Sequence, residues 1–297
     1  MLLGKGGSMK WTREAEAAVS KVPFFVRQRV KKRVEEEAIR CGAKEVRLEH
    51  VQNCQKRFLN QMEDEVKGYQ VETCFGPTGC PNRAVSWEDL SEKIESRIAR
   101  RDLKSFLKER VQGPLKLHHE FRVSISDCPN ACSRPQIADL GWIGARQPRV
   151  SDAACSRCGA CIEICREGAV SLSEQGPVVD HPKCLFCGQC IAVCPTGTLQ
   201  EEAGGYRILL GGKLGRHPRL AVELPGIYSL KETLQMVERC LDHYQRYCLK
   251  GERFGEVLER TGPAELSRGR KWKPKEEENG SLSESQHQRS HDPVPRS

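Results

Sequence analysis

Eight cysteines between residues 155 and 194 constrain this chain more than any other feature. They fall in two runs, Cys155-x2-Cys158-x2-Cys161-x3-Cys165 and Cys184-x2-Cys187-x2-Cys190-x3-Cys194-Pro195. Three thiolates one turn apart can wrap a metal–sulfur cubane, while a fourth, set further along, reaches across to a second cubane. Zinc sites pair two C-x2-C knuckles and do not need eight cysteines in this array. Disulfides are the other use for so many thiols, the chain holding 16 Cys in 297 residues. A disulfide framework belongs to short secreted domains with a signal peptide, and the opening Met1-Leu-Leu-Gly-Lys-Gly-Gly-Ser is too short and glycine-rich for an apolar leader. No apolar run approaches the length of a membrane span, so no membrane insertion is expected. The cysteines therefore read as metal ligands in a reducing compartment, most simply the cytoplasm.

The array resembles the bacterial two-cluster ferredoxins. That pattern assigns Cys155, Cys158, Cys161 and Cys194 to one [4Fe–4S] cluster, and Cys184, Cys187, Cys190 and Cys165 to the other. Arg166 stands where the first run of such a pattern normally has proline. Its expected effect is a perturbed turn or an added positive charge beside the cluster, and it removes no ligand.

A second set of cysteines lies upstream. The run Phe121-Arg-Val-Ser-Ile-Ser alternates as a half-buried strand does and delivers Cys128-Pro-Asn-Ala-Cys132 on the turn that follows. A pair spaced C-x3-C cannot close a cubane alone. The other two thiols available are Cys74-Phe-Gly-Pro-Thr-Gly-Cys80, whose glycines and proline let backbone wrap closely. Tyr69 to Thr73 reads as a strand delivering Cys74, Ser86 as the start of a long helix broken near Asp102, and Leu115 to Ser126 as the returning strand. That order brings both pairs to one end of a sheet.

Cys-x5-Cys followed by Cys-x3-Cys resembles the signature of the sirohaem sulfite and nitrite reductases, in the dissimilatory sulfite reductase manner. Thr78-Gly-Cys-Pro-Asn-Arg and Leu210-Gly-Gly-Lys-Leu-Gly-Arg-His-Pro-Arg look like segments of that family. The resemblance implies a third [4Fe–4S] cluster on Cys74, Cys80, Cys128 and Cys132, with Cys132 also bridging to the iron of sirohaem. It places Ser126, Asn130 and Arg134 against the macrocycle and makes Arg134 the candidate catalytic cation. Arg83, Arg122, Lys213, Arg216 and His217 are the other cations available to an anionic substrate. Because the family-like segments flank the eight-cysteine array, the array reads as an insertion.

Trp11-Thr-Arg-Glu-Ala, Val22-Pro-Phe-Phe-Val-Arg and Glu37-Ala-Ile-Arg-Cys-Gly-Ala resemble the small helical domain that ends one subunit of light-independent protochlorophyllide reductase. Thr12 caps a first helix, Pro23 divides it from a second, and Leu48 to Phe58 forms a third. Cys41, Cys54, Cys240 and Cys248 fit no ligand spacing and read as small buried hydrophobes.

The expected fold is α+β. Its parts are a helical unit over 1–62, a reductase-like α/β domain over 63–150 plus 201–266, an inserted ferredoxin-like domain over 151–200, and a polar, disordered tail over 267–297. The net charge of +8 invites a nucleic-acid partner, yet Lys and Arg interleave with Glu in stretches such as Lys31-Lys-Arg-Val-Glu-Glu-Glu, a solvated face. No nucleic-acid motif accompanies them. An anionic macrocycle, an anionic substrate and an acidic redox partner account for the charge.

The functional expectation is an enzyme that passes electrons from the two-cluster insert to a cluster–sirohaem centre reducing sulfite, nitrite or a related anion. Its donor would be a ferredoxin or a reductase subunit. Complete family members place a half-domain before the first cysteine pair, where this chain has the helical unit. A second subunit or a second copy would then complete the pocket. The competing expectation is a three-cluster electron carrier without sirohaem that serves a partner reductase.

Overall fold

The computed structural model describes residues 9–87, 89–264 and 266. The tail expected from residue 267 onward lies outside them.

The chain opens with β1 (Lys10–Trp11), α1 (Arg13–Ser20), α2 (Phe24–Arg40), β2 (Glu45–Val46) and α3 (Leu48–Glu65). Thr12 caps α1 by accepting the Ala15 amide at 3.4 Å, and Pro23 sets the start of α2. Ala15, Val34, Ala38 and Val46 form a small core of their own, closed by the parallel two-residue pairing of β1 with β2. Such short strands leave no periodicity to read. Cys41 is exposed rather than buried as expected, because α2 ends there and Gly42 turns the chain away at φ 70°.

Next come β3 (Tyr69–Thr73), α4 (Leu90–Ala99), α5 (Leu103–Arg110), β4 (Phe121–Ser126) and β5 (Leu140–Val150). β3, β4 and β5 run parallel, and β8 (Leu199–Leu210) and β9 (Val222–Glu223) complete a five-stranded mixed sheet in the order β3-β4-β5-β8-β9. Helices α4, α5, α8 (Leu230–Tyr247) and α9 (Phe254–Thr261) share one apolar core with it. Ser229 and Glu232 cap α8 reciprocally, and Val237, Leu241 and Tyr244 on its inner face are buried.

Two sequence expectations shift at this point. Helix α4 begins at Leu90, not Ser86, because the Ala84 and Val85 amides bond the Asp127 carbonyl and Trp87 packs edge-on to Tyr206. Those tertiary contacts hold the segment extended. The strand expected from Leu115 is confined to Phe121–Ser126, since Leu117–His119 forms a 3-10 turn.

Between β5 and β8 the chain makes α6 (Ala160–Glu163), β6 (Val170–Ser173), β7 (Gly176–Val179) and α7 (Gln189–Ala192). The two halves repeat one another in backbone as well as sequence. Arg157 and Phe186 have φ of 58° and 60°, and Gly159 and Gly188 have 80° and 72°. The segment leaves and rejoins the sheet at facing positions, Val150 being paired with Leu199.

Candidate metal centres

Parallel pairing of β3 with β4 puts the turns after both strands at the same end, as the element order implies. The Cys74 amide donates to the Ile125 carbonyl at 2.9 Å, which continues the ladder one residue past β3. On either side of the Cys128–Cys132 loop, at Asp127 and Pro135, the backbone then lies close against β5. It can do so because Gly141 and Gly144 carry no side chain: a Cβ there would collide with the carbonyls of Pro135 and Asp127.

The sulfurs gather in three groups. Burial pushes the Cys128 thiol up, the neighbouring Cys74, Cys132 and Cys80 push the same way, and a bond from the Asn130 amide opposes them. Burial likewise raises Cys161, which feels Cys155, Cys158 and Cys194. Cys190 is pushed up to about 11 by burial and then by Cys184, Cys187 and Cys165. Each buried thiol thus senses three others, and the membership includes the cross-over of Cys165 and Cys194 between the two runs. A buried thiol with three others beside it marks a site that a polycationic cluster neutralises by displacing their protons.

Backbone donors are already aimed at these sulfurs. Cys74 Sγ accepts from Gly76 and Asp127 at 3.2 and 3.3 Å, Cys155 Sγ from Arg157 at 3.3 Å, and Cys165 Sγ from Ala169 at 3.3 Å. Cys184 Sγ accepts from Phe186 and Cys194 Sγ from Leu199, both at 3.4 Å. The left-handed conformations of Arg157 and Phe186 turn their amides inward, and such bonds stabilise thiolate and tune a cluster's potential. One cavity is walled by Cys155, Cys158, Cys161 and Cys194, and another by Cys165, Cys184, Cys187 and Cys190. Among the described residues no three His, Cys, Asp or Glu side chains draw close enough to hold a single ion. A cubane, with four irons, keeps its thiolates farther apart. The donor set and its cavities therefore fit [4Fe–4S] clusters.

The remaining candidates divide between the surface and the interior. Cys132, Asn130 and Arg134 are exposed at the loop's outer face, Arg134 with φ 60°. Ser126 has no exposed surface, and its hydroxyl donates to Ser133 Oγ at 2.7 Å while accepting the Ser133 amide. Its side chain secures the loop from beneath. Arg83 pairs with Asp127 at 3.2 Å and Lys213 with Glu256 at 2.6 Å. Arg122 lies at the end of β4 away from Cys128, and Arg216 and His217 sit on an exposed loop.

Asp127 escaped the sequence reading, although it directly precedes Cys128. Its carboxylate is buried, accepts the Tyr206 hydroxyl at 2.9 Å and pairs with Arg83, while its amide bonds Cys74. It joins the two cysteine loops to β8. Asn82 escaped too. Gln189 Nε2 donates to Asn82 Oδ1 at 3.3 Å, linking α7 to the Cys80 loop.

Residues 69–272 match the family described as nitrite and sulphite reductase 4Fe-4S domain, and residues 11–54 match that of the proto-chlorophyllide reductase 57 kD subunit. Coenzyme F420-dependent sulfite reductase of Methanocaldococcus jannaschii is 35% identical over 191 residues, covering 64% of this chain and 28% of that protein. A subunit of the anaerobic sulfite reductase of Salmonella typhimurium is 28% identical over 116 residues, covering 37% of this chain and 30% of that one. The chain thus spans under a third of the length of these curated relatives. A solved structure of dissimilatory sulfite reductase I is 17% identical, with a TM-score of 0.47 over 78% of this chain and 60% of that chain.

Proposed function

Because the chain belongs to the nitrite and sulphite reductase 4Fe-4S domain family, we propose that it is an oxidoreductase component. In this reading, electrons pass through two cubanes held by the eight-cysteine array to a third, at Cys74, Cys80, Cys128 and Cys132. There Cys132 would hold sirohaem, whose chemistry would be the reduction of a small anion such as sulfite. The observation that supports this reading is that two cavities are lined by the thiols of the insert, four in each, with Cys128 on the wall of the second and Cys74, Cys80 and Cys132 as its neighbours. Sirohaem, when bound, supplies the iron at which the anion gains electrons. The chain's own part is to hold and orient. Cys132, the exposed member of its group, is the thiol able to face a macrocycle. Exposed Asn130 and Arg134 flank it, Arg134 offering a cation to an anionic substrate.

A ferredoxin-like carrier or a reductase subunit would load the array. A second subunit, or a second copy, would close the face that Cys132 opens onto. No helix among the described residues is long and apolar enough to cross a membrane, and sixteen cysteines suit a reducing compartment such as the cytoplasm. A carrier without sirohaem is favoured by one observation: the helical unit occupies the place before Cys74.

Anaerobic analysis separates the readings. Three cubanes require roughly 12 irons per chain with matching acid-labile sulfide. In a host that makes sirohaem, the wild type should show a haem band that Cys132→Ser perturbs and Cys155→Ser leaves unchanged. A harder, less readily ionised oxygen at residue 132 weakens both links of the bridge. Only the broad absorption of iron–sulfur clusters, with or without an added partner protein, would establish the carrier.

A further inference from the structure

The two cubane sites of the insert are not equivalent. The cavity of the Cys165 group is walled on its other side by Cys128, Pro129, Asn130 and Asn82, so this inner site and the reductase-like site share one space. The cavity of the Cys155 group contains no residue of the Cys74–Cys132 region, and its Cys158 is exposed. The inner half of the insert is also pressed onto the sheet. The Arg146 amide donates to the Phe186 carbonyl at 2.7 Å, Arg146 bridges Cys187 in parallel fashion, and a Cβ at Gly188 would lie 2.7 Å from that of Arg146.

Across the shared space runs the bond from Gln189 Nε2 to Asn82 Oδ1, between side chains that are both half-buried. Gln189 precedes the inner ligand Cys190, and Asn82 follows Cys80 by two residues. The bond therefore joins the ligand loops of two different clusters where the insert meets the reductase-like domain.

We propose that Asn82 and Gln189 are positioning residues that clamp the inner insert cluster to the reductase-like cluster, so that the Cys155 group receives electrons and the Cys165 group delivers them. The inference rests on the three-cluster reading above. In the step concerned, one electron leaves the reduced inner cubane and arrives on the oxidised Cys74 cubane. No bond forms or breaks, and a low-potential one-electron donor refills the outer cubane. Because coupling between clusters falls steeply with separation, a contact that fixes their spacing governs transfer without touching either cluster's chemistry.

The test is electron paramagnetic resonance of the full chain reduced with dithionite. Two reduced clusters at close approach should split or broaden one another's signals. We expect the wild type and Cys155→Ser to keep the interaction between the inner and reductase-like clusters. The double variant Asn82→Ala/Gln189→Ala should lose it while keeping its full iron content. Asn82→Asp, which retains the accepting oxygen, should restore it against Gln189. Unchanged splitting in the double variant overturns the clamp, and loss of splitting in Cys155→Ser overturns the order of the clusters. A wild-type chain with about eight irons and no third signal removes the three-cluster reading itself, a result distinct from either.

Discussion

Asp139 and Arg253 form a buried ion pair at the end of the sheet away from the cysteines, and neither residue stands out in sequence. Asp139 also accepts the Arg122 amide at 2.8 Å, its own carbonyl accepts the Gly211 amide, and Arg253 donates to the His118 carbonyl. One pair thereby ties β4, β8 and α9 together. Asp139→Ala leaves the guanidinium without its counter-charge and should cost about 3–5 kcal/mol, measured as a lower urea midpoint at unchanged slope. His119 nearby is held down at about 4 by burial, then by His118, Lys116 and Arg253, and its Nδ1 accepts the Lys116 amide at 3.1 Å. The unfolded chain takes up that proton near the ordinary 6.5 and the folded chain only near 4. Stability should therefore fall as pH drops through this window. His119→Gln should flatten the fall, compared at matched iron content so that acid loss of clusters cancels. The runs of cysteines were legible as candidate ligands because the spacing within each run is local. Ser126, Asp127 and Asp139 were not, because what a buried polar side chain bonds depends on which loop the fold lays over it.

At the scale of elements, strands and caps with local causes were readable: Thr12 before α1, the break at Asp102 before α5, and the strand β4, although Ser124 and Ser126 on its polar face are buried and not solvated as the alternation implied. What escaped depended on distant partners, as when Trp87 on Tyr206 delays α4, or when Gln189 on Asn82 seats α7. The antiparallel pairing of β5 with β8 adds something that composition alone could not reveal. Val150 and Leu199 are register partners, so a turn of two residues should join them as an ordinary hairpin. Replacing residues 151–198 with Asn-Gly should leave the Cys74 group intact, with roughly four irons remaining, and should abolish reduction by an external carrier. Loss of all iron would show that the sheet depends on the insert. On the opposite side of the core, Leu241 of α8 is fully buried. Leu241→Ala should lower stability by about 2–5 kcal/mol without altering iron content, as read by chemical denaturation.

For the molecule as a whole, the decisive observation is that its buried residues form separate cores. Ala15, Val34, Ala38 and Val46 belong to one, the sheet with α4, α5, α8 and α9 to a second, and Cys161, Val170, Cys190 and Leu199 to a third. Between the helical unit and α5, Lys108 reaches Glu63 at 3.2 Å and Lys104 reaches the Asp64 carbonyl at 3.3 Å. Exposed pairs of this kind contribute little, each within about 1 kcal/mol. The Lys67 and Gly68 amides, by contrast, donate to buried Glu120, which anchors the start of β3 within the sheet's own core. A chain beginning at Val66 therefore keeps the apolar core of the sheet found among the described residues. It should fold, retain roughly 12 irons and unfold within about 1 kcal/mol of the full chain when cluster bleaching is followed in urea. In the intact chain, Trp11, bonded to Glu35 at 2.9 Å within the helical unit, should report a transition that does not coincide with bleaching. Coincident transitions, or a truncated chain that loses its iron, would show that the helical unit is integral to the cluster-bearing fold.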